Sequence, residues 1–419
     1  MERLPGFRDF FPEPLPNAES WSADLRNHIF DAWRSAAHRY GFREYDGPPL
    51  EPLDLFTLKS GDEIVGQLFN FTDKGERAVA MRPEMTPTLA RMIAASERTY
   101  KKPIKWFSIP QLFRYEKQQK GRLREHFQLN ADIIGEADIA AEAELISLLI
   151  DSLRALGLTS EDFVIRLSSR NAWHSFFTDR CKDESKAPDF YQAVDKLERE
   201  KPDVTAQKLA LLGIAIEDVN QFIATGAPTA ELQSVLDNLA ARGLSDFVRV
   251  DYGVIRGLAY YTGIVFEAFD KKGEFRAIAG GGRYNNLVKL ISGGKVDLPA
   301  LGFGMGDVVL AELLKARGLV PKFHANLHAY VLIEDESFRS DSLRLVQQLR
   351  DSGRAIEFSI TATKSDRQFK RAIELSAKFV VQLQKGADGT LAAKLKNLKS
   401  REEKIVALAE VSSHLESSI

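Results

Sequence analysis

Apolar residues recur with two periods along this chain, one helical and one of strict alternation. In residues 17–40, NAESWSADLRNHIFDAWRSAAHRY, the residues Trp21, Leu25, Ile29, Phe30 and Trp33 share a helical face, with Asn17 as the expected cap. FREYDGPPLEPLDLF follows, where Pro48, Pro49 and Pro52 exclude helix and favour an extended edge or a turn. Residues 67–83, QLFNFTDKGERAVAMRP, predict a hairpin turning at Asp73, Lys74 and Gly75. EMTPTLARMIAAS then predicts a helix, with Pro87 tolerated in its first turn.

A second hairpin is expected over about 104–135. Its return strand, REHFQLNADIIG, places Phe127, Leu129, Ala131 and Ile133 on one side and His126, Gln128, Asn130 and Asp132 on the other. Asn and Asp are poor strand formers, so the polar row has two readings: a solvated sheet face, or the floor of a polar pocket. A helix is predicted over 137–157, and 170–245 is helical throughout, which reads as a helical insertion. Strand character returns in DFVRVDYGVIRGLAYYTGIVFEAFD and FRAIAGGGRYNNLV. A boundary is expected at 317–325, in RGLVPKFHAN. Beyond it, LHAYVLIE, SDSLRLVQQLRDSG, RAIEFSI, SDRQFKRAIELSAK and FVVQLQ alternate strand and helix, predicting an α/β domain with a partly parallel sheet. The domains are thus expected at 1–320 and 325–419.

Composition narrows the class. A chain of 419 residues is too long for a single core. A formal charge of −2 denies it a global basic field, so a nucleic-acid partner would be held by local patches. The single cysteine, Cys181, excludes an intrachain disulfide and a thiolate zinc cluster. The charged N-terminus and the lack of any run of ~20 apolar residues predict an intracellular, cytoplasmic protein without a membrane span.

Five stretches carry candidate chemistry. FRYEKQQKGRLREHFQ holds Arg114 on a strand and then a basic loop with Lys117, Lys120, Arg122 and Arg124, suited to a polyanion, although basic loops are often only solvated. VIRGLAYYTGIVFE brings Arg256, Tyr260 and Tyr261 together between Gly257 and Gly263. AIAGGGRYNNLV sets Gly280, Gly281 and Gly282 before Arg283 and Tyr284, where the backbone admits close approach. RPEMT places Glu84 and Thr86 at a helix start. ALGFGMGDVVLAELL spaces Gly302, Gly304 and Gly306 ahead of a helix, but lacks the Gly-Lys-Ser/Thr ending of a P-loop.

These stretches occur in the order found in histidyl-tRNA synthetases, a class II aminoacyl-tRNA synthetase family, and the chain resembles that family from end to end. LPGFRDFFPE resembles its N-terminal signature, and GPPLEP its motif 1, with Pro48 the motif's proline. FRYE…GRLREHFQLNADIIGE resembles motif 2, RGLAYYTG and AGGGRY the two histidine-specific signatures, and PALGFGMG motif 3. The resemblance implies an α+β fold: a mostly antiparallel sheet flanked by helices, a C-terminal anticodon-binding domain, and a homodimer built through motif 1. It implies that histidine attacks the α-phosphate of ATP and is then transferred to the 3′ end of tRNA(His), with Mg²⁺ escorting the remaining phosphates. Arg114 and Arg256 are implied to hold the α-phosphate from opposite sides. Glu116, Arg122, Gly304 and Gly306 are implied as further ATP contacts. Glu84, Thr86 and Gln128 match the positions that hold the α-amino group. The imidazole is implied between Asp132 and Tyr261, with Tyr260 and Tyr284 lining its pocket.

Two departures stand out. Many members carry a glutamate where this chain has Asp132, and the motif 3 arginine falls at Val309, which can neither stack on adenine nor meet a phosphate as arginine does. The second departure keeps a rival in view, a non-catalytic regulatory subunit of ATP phosphoribosyltransferase built on the same core. Retention of Arg114 and Arg256, the basic loop and the C-terminal domain weigh against it. A bare RNA-binding module would not need the conjunction of Gln128, Asp132 and Tyr261.

Overall fold

The computed structural model describes residues 2–60, 62–115, 123–195, 197, 200–255, 261–323, 327–386 and 389–416. The chain divides into two compact units, Met1–Pro321 and Lys322–Ile419.

The first unit opens with β1 (Phe10–Phe11) and β2 (Trp21–Ser22), a parallel pair, followed by α1 (Ala23–Arg39). Of the five residues predicted to share its apolar face, Leu25, Ile29 and Trp33 are buried and Phe30 is half-buried, while Trp21 lies in β2, ahead of the helix. The expected cap is corrected. Ser22 caps the helix, its Oγ accepting from Leu25 N at 3.1 Å. Asn17 Oδ1 instead accepts from Glu19 N at 3.0 Å, closing a side-chain turn ahead of the helix.

After β3 (Arg43–Glu44), β4 (Leu50–Pro52) and α2 (Asp54–Ser60) come β5 (Asn70–Thr72) and β6 (Ala78–Met81). They form a small sheet ordered β4-β6-β5, with the proline-bearing β4 at an edge, where a missing N–H costs least. Asp73 closes the β5–β6 hairpin, its Oδ1 accepting from Gly75 N at 2.8 Å and Arg77 N at 2.9 Å. Helix α3 (Thr86–Ser96) follows.

The next strands are β7 (Ile104–Ser108), β8 (Gln111–Phe113) and β9 (Glu125–Ile134), then α4 (Ala140–Arg154) and β10 (Phe163–Ser169). Five helices follow: α5 (Arg170–Arg180), α6 (Ala187–Asp195), α7 (Pro202–Ala210), α8 (Ile216–Thr225) and α9 (Ala230–Ala241). Aromatic packing joins them to each other and to Tyr252, which follows them in the chain. Trp173 meets Phe222 edge-on at 4.8 Å between centroids, and Phe222 stacks on Tyr252 at 4.6 Å. The unit closes with β11 (Val248–Val250), β12 (Ile264–Asp270), β13 (Ala279–Arg283), α10 (Leu287–Ile291), β14 (Ala300–Gly306) and α11 (Asp307–Ala316).

Among the described residues, nine strands form one sheet in the order β11-β10-β12-β13-β14-β9-β7-β3, with β8 paired to β9. Its interior is antiparallel, and its two outermost pairs, β10–β11 and β3–β7, are parallel. Helix α4 packs on β9 and β14, where Leu129, Ala131, Ile133, Leu301, Phe303 and Met305 are buried. That face is committed to the core; the other is left for chemistry.

The second unit contains β15 (Ala329–Leu332), α12 (Arg339–Asp351), β16 (Ile356–Phe358), α13 (Ser365–Glu374), β17 (Phe379–Lys385), β18 (Leu391–Asn397), β19 (Glu403–Ala407) and α14 (Val411–Glu416). Its sheet runs β16-β15-β17-β18-β19, parallel across the first three strands and antiparallel beyond. Val331, Leu349, Val381, Leu395 and Val411 fill its core. The final β18–β19 hairpin extends the sheet past the last strand predicted from the sequence.

Candidate active site

The site rests on strand register. Across the β9–β14 ladder, Gln128 pairs with Gly306, Asn130 with Gly304 and Asp132 with Gly302. Across β13–β14, Gly302 pairs with Gly282 and Gly304 with Gly280; across β12–β13, those glycines pair with Val265 and Glu267. Residues opposed in an antiparallel ladder point to the same face. The face away from α4 therefore carries the polar row, then Gly280, Gly282, Gly302, Gly304 and Gly306, then Glu267.

Gly302 and Gly304 are required by close approach. A Cβ on Gly302 would meet Asp132 Oδ1 at 1.9 Å, and one on Gly304 would meet Gln128 Cδ at 2.7 Å. The Asp132 and Gln128 side chains lie folded over these two glycines. This decides between the two readings of the row: it is the floor of a pocket. A cleft of about 480 Å³ stands on it, bordered also by Lys59, Glu84, Thr86, Arg114, Tyr261, Tyr284, Arg276 and Val309.

Charge is distributed unevenly in the cleft. Glu84, at the entry to α3, receives a hydrogen bond from Lys59 of α2. Burial pushes its carboxyl upward, but Lys59 and then Arg114 outweigh that, so it is held below its usual range and stays ionised. Asp132 is nearly enclosed. Burial raises its pKa to about 7, although a hydrogen bond donated by the Tyr284 hydroxyl and the charge of Lys59 oppose the rise. His126 is lowered to about 3 by burial and by the cations Arg114 and Arg8, so its imidazole is neutral. Arg114 follows β8 and is steadied by donation from Nε to Pro83 O at 3.1 Å.

Behind the glycine row, Arg8 is buried between two carboxylates. Its Nε donates to Glu125 Oε1 at 2.6 Å and its Nη1 to Asp307 Oδ2 at 2.8 Å. Asp307 Oδ1 also accepts from Phe127 N at 3.0 Å. One guanidinium thus pins the N-terminal segment to the start of β9 and the start of α11.

A family profile described as histidyl-tRNA synthetase matches residues 11–307. The chain belongs to the histidyl-tRNA synthetase family. It is 45% identical over 433 residues to a histidine–tRNA ligase of Opitutus terrae, covering 98% of this chain and 97% of the relative. It is 35% identical over 437 residues to that of Thermoplasma volcanium, covering 100% and 99%. Its fold matches the crystal structure of histidyl-tRNA synthetase from Nostoc sp. PCC 7120 with a TM-score of 0.77, at 22% identity and over 98% of both chains.

Of the residues that the family's motifs single out, Glu84, Thr86, Arg114, Gln128, Asp132, Tyr261, Tyr284, Gly304 and Gly306 border one cleft. Arg256, Tyr260, Glu116 and Arg122, with Lys117 and Lys120, lie outside the described residues. Arg124, at the end of that basic stretch, sets its guanidinium 4.5 Å from the Tyr115 ring. Arg283 serves the opposite face from the cleft, donating to both Glu142 oxygens at 2.6 Å and tying β13 to α4.

Three charged residues of the cleft, Lys59, Glu267 and Arg276, lie outside the family's motifs read from the sequence. Glu267 had a signal, being a lone acid inside the apolar strand IVFEAFD. Asn130 stood within the polar row without a role. Nothing local marks Lys59. Among the described residues no helix is long and apolar enough to cross a membrane, and no three His, Cys, Asp or Glu side chains group to hold a metal ion.

Proposed function

We propose that this cleft activates histidine with ATP and passes it to the 3′ end of tRNA(His), the chain working as a histidine–tRNA ligase. The observation that carries this reading is the division of the cleft into an anionic end and an imidazole end on one glycine floor. Ionised Glu84, with Thr86 and Gln128, offers oxygens to an ammonium, which has only donors. Asp132, backed by Tyr284 and bordered by Tyr261, offers a carboxylate to a ring N–H.

In the first step a histidine carboxylate oxygen attacks the α-phosphorus of ATP, the bond to the β-phosphate oxygen breaks, and pyrophosphate leaves. Arg114 and Arg256 neutralise charge on the α-phosphate, so positioning and electrostatics do most of the work. ATP enters as its Mg²⁺ complex, the ion held mainly by phosphate and water oxygens. In the second step a 3′-terminal ribose hydroxyl of tRNA attacks the carbonyl carbon of the adenylate, and AMP departs. Glu116, Arg122, Gly304 and Gly306 serve the nucleotide, and Tyr260 the histidine pocket. The 1–320 region is the catalytic domain, with an insertion at 170–245, and 325–419 binds the anticodon. Two copies pair through the segment around Pro48. A cytoplasmic location fits the lone Cys181.

Histidine-dependent exchange of pyrophosphate into ATP, measured alongside tRNA charging, tests the reading. Both activities are expected. Exchange at background beside an active control would leave the regulatory-subunit reading, which Val309 favours. Replacing Arg256 by alanine should abolish adenylate formation, and activity within a few-fold of the parent would remove that residue from the mechanism.

A further inference from the structure

We propose that Arg276 is the residue that grips the terminal phosphates of ATP in this chain, in place of the arginine missing at Val309. The inference rests on the ATP-dependent activation proposed above and deepens it.

A triphosphate brings several negative charges onto a floor that has none to offer in return. The glycine strip carries no side chains, and the start of α11 presents Val308 and Val309 to the cleft. Among the described residues, the cations bordering the cleft are Lys59, Arg114 and Arg276, since His126 is neutral. Lys59 is engaged with Glu84 at the amino-acid end. Arg114 stands beside Pro83 and Glu84, where the α-phosphate must lie for a histidine held by Glu84 to reach it.

Arg276 enters from the other side of the floor. It precedes β13 by three residues, and β13 pairs with β14 through Ala279 opposite Met305. Counting the same register back by three positions brings Arg276 level with Val308, at the first turn of α11. Strand β12 supports the approach, Ile278 N donating to Ala268 O at 2.8 Å. Arg276 is exposed and borders the cleft, unlike buried Arg283. A guanidinium offers a planar fork that fits two phosphate oxygens, whereas valine offers nothing to an anion. The charge absent from the helix is thereby supplied by the segment that faces it.

The test compares the parent with Arg276→Ala in histidine-dependent pyrophosphate exchange, with AMP as a competitive inhibitor. The KM for ATP is expected to rise about tenfold, the cost of a charge-assisted phosphate contact. The KM for histidine and the inhibition constant of AMP, which lacks the outer phosphates, should stay within twofold. A KM for ATP within threefold of the parent overturns the proposal, as does an equal loss for AMP and ATP, which would place Arg276 at the adenosine or in the scaffold. A parent without exchange sinks the ligase reading and this inference together. A parent that exchanges while the variant matches it sinks this inference alone.

Discussion

Gly302 and Asp132 share one rung of the β9–β14 ladder, and a Cβ on the glycine would stand 1.9 Å from the carboxylate's Oδ1. Gly302→Ala should therefore push Asp132 out of place and raise the KM for histidine tenfold or more, by loss of a contact worth roughly 1.5–3 kcal/mol. Gly306 supplies the control. Its nearest would-be neighbour is His126 Cδ2 at 3.8 Å, an ordinary contact, so Gly306→Ala should leave the melting temperature and the histidine KM near the parent's. Steady-state kinetics with equal effects from the two alanines would refute the close-approach argument.

Proton occupancy of Asp132 predicts a pH dependence. Its pKa is about 7 because burial outweighs the Tyr284 hydrogen bond and Lys59, so much of it is protonated below neutrality. An ionised carboxylate accepts a ring N–H, and kcat/KM for histidine should rise as pH passes through about 7. Free histidine titrates nearby, so the informative quantity is the difference between the parent and Asp132→Asn across pH 6–8, which should vanish at low pH. Stability runs the opposite way. A raised folded-state pKa favours the folded chain below the unfolded value of 3.8, and that contribution is lost as pH climbs through about 7. Asp132→Asn should flatten that part of the stability profile in urea titrations.

Arg8→Ala should cost about 3–5 kcal/mol, because it strands Glu125 and Asp307 as buried, unpaired carboxylates. Lysine should recover little, since one ammonium does not reproduce a fork that reaches two acids. Urea unfolding measures both variants, and a loss below 1 kcal/mol for the alanine would mean that the N-terminal segment is not a structural clamp.

Val309→Arg, added to Arg276→Ala, should lower the KM for ATP relative to the single variant. Both positions border the cleft, and the β13–β14 register carried back from Ala279 brings Arg276 level with the first turn of α11, so a cation restored on α11 stands in for one removed from the facing segment. An unchanged or higher KM would mean that the two positions serve different parts of the nucleotide.

Particular residues show what could be read from the sequence. The buried stripe of α1 was legible because helical spacing is local, but its start was not, because Asn17 and Ser22 are both good caps and only the turn around Asn17 decides between them. The polar row on β9 was legible as alternation. Its meaning was not, since the pairing of Asp132 with Gly302 is a long-range register that no local pattern encodes. Arg283 and Tyr284 look equivalent in AGGGRY, yet the arginine joins Glu142 and the tyrosine joins Asp132, a divergence that strand alternation explains once β13 is known to end there. Arg276 was invisible for the same reason, since only the β13–β14 register brings it level with the start of α11. The β18–β19 hairpin was missed because alanine and lysine, which fill LAAKLKN, are weak strand formers.

The glycine floor has a consequence for how selectivity is distributed. Its peptide N–H and C=O groups are committed to the ladders joining β12, β13, β14 and β9, so a molecule resting on it meets flat, already satisfied backbone. Such a surface supports but does not discriminate, and recognition falls to the side chains around its edge. Preference for a different amino acid or nucleotide is therefore open to change at Asp132, Tyr284 or Arg276 without disturbing the platform beneath them.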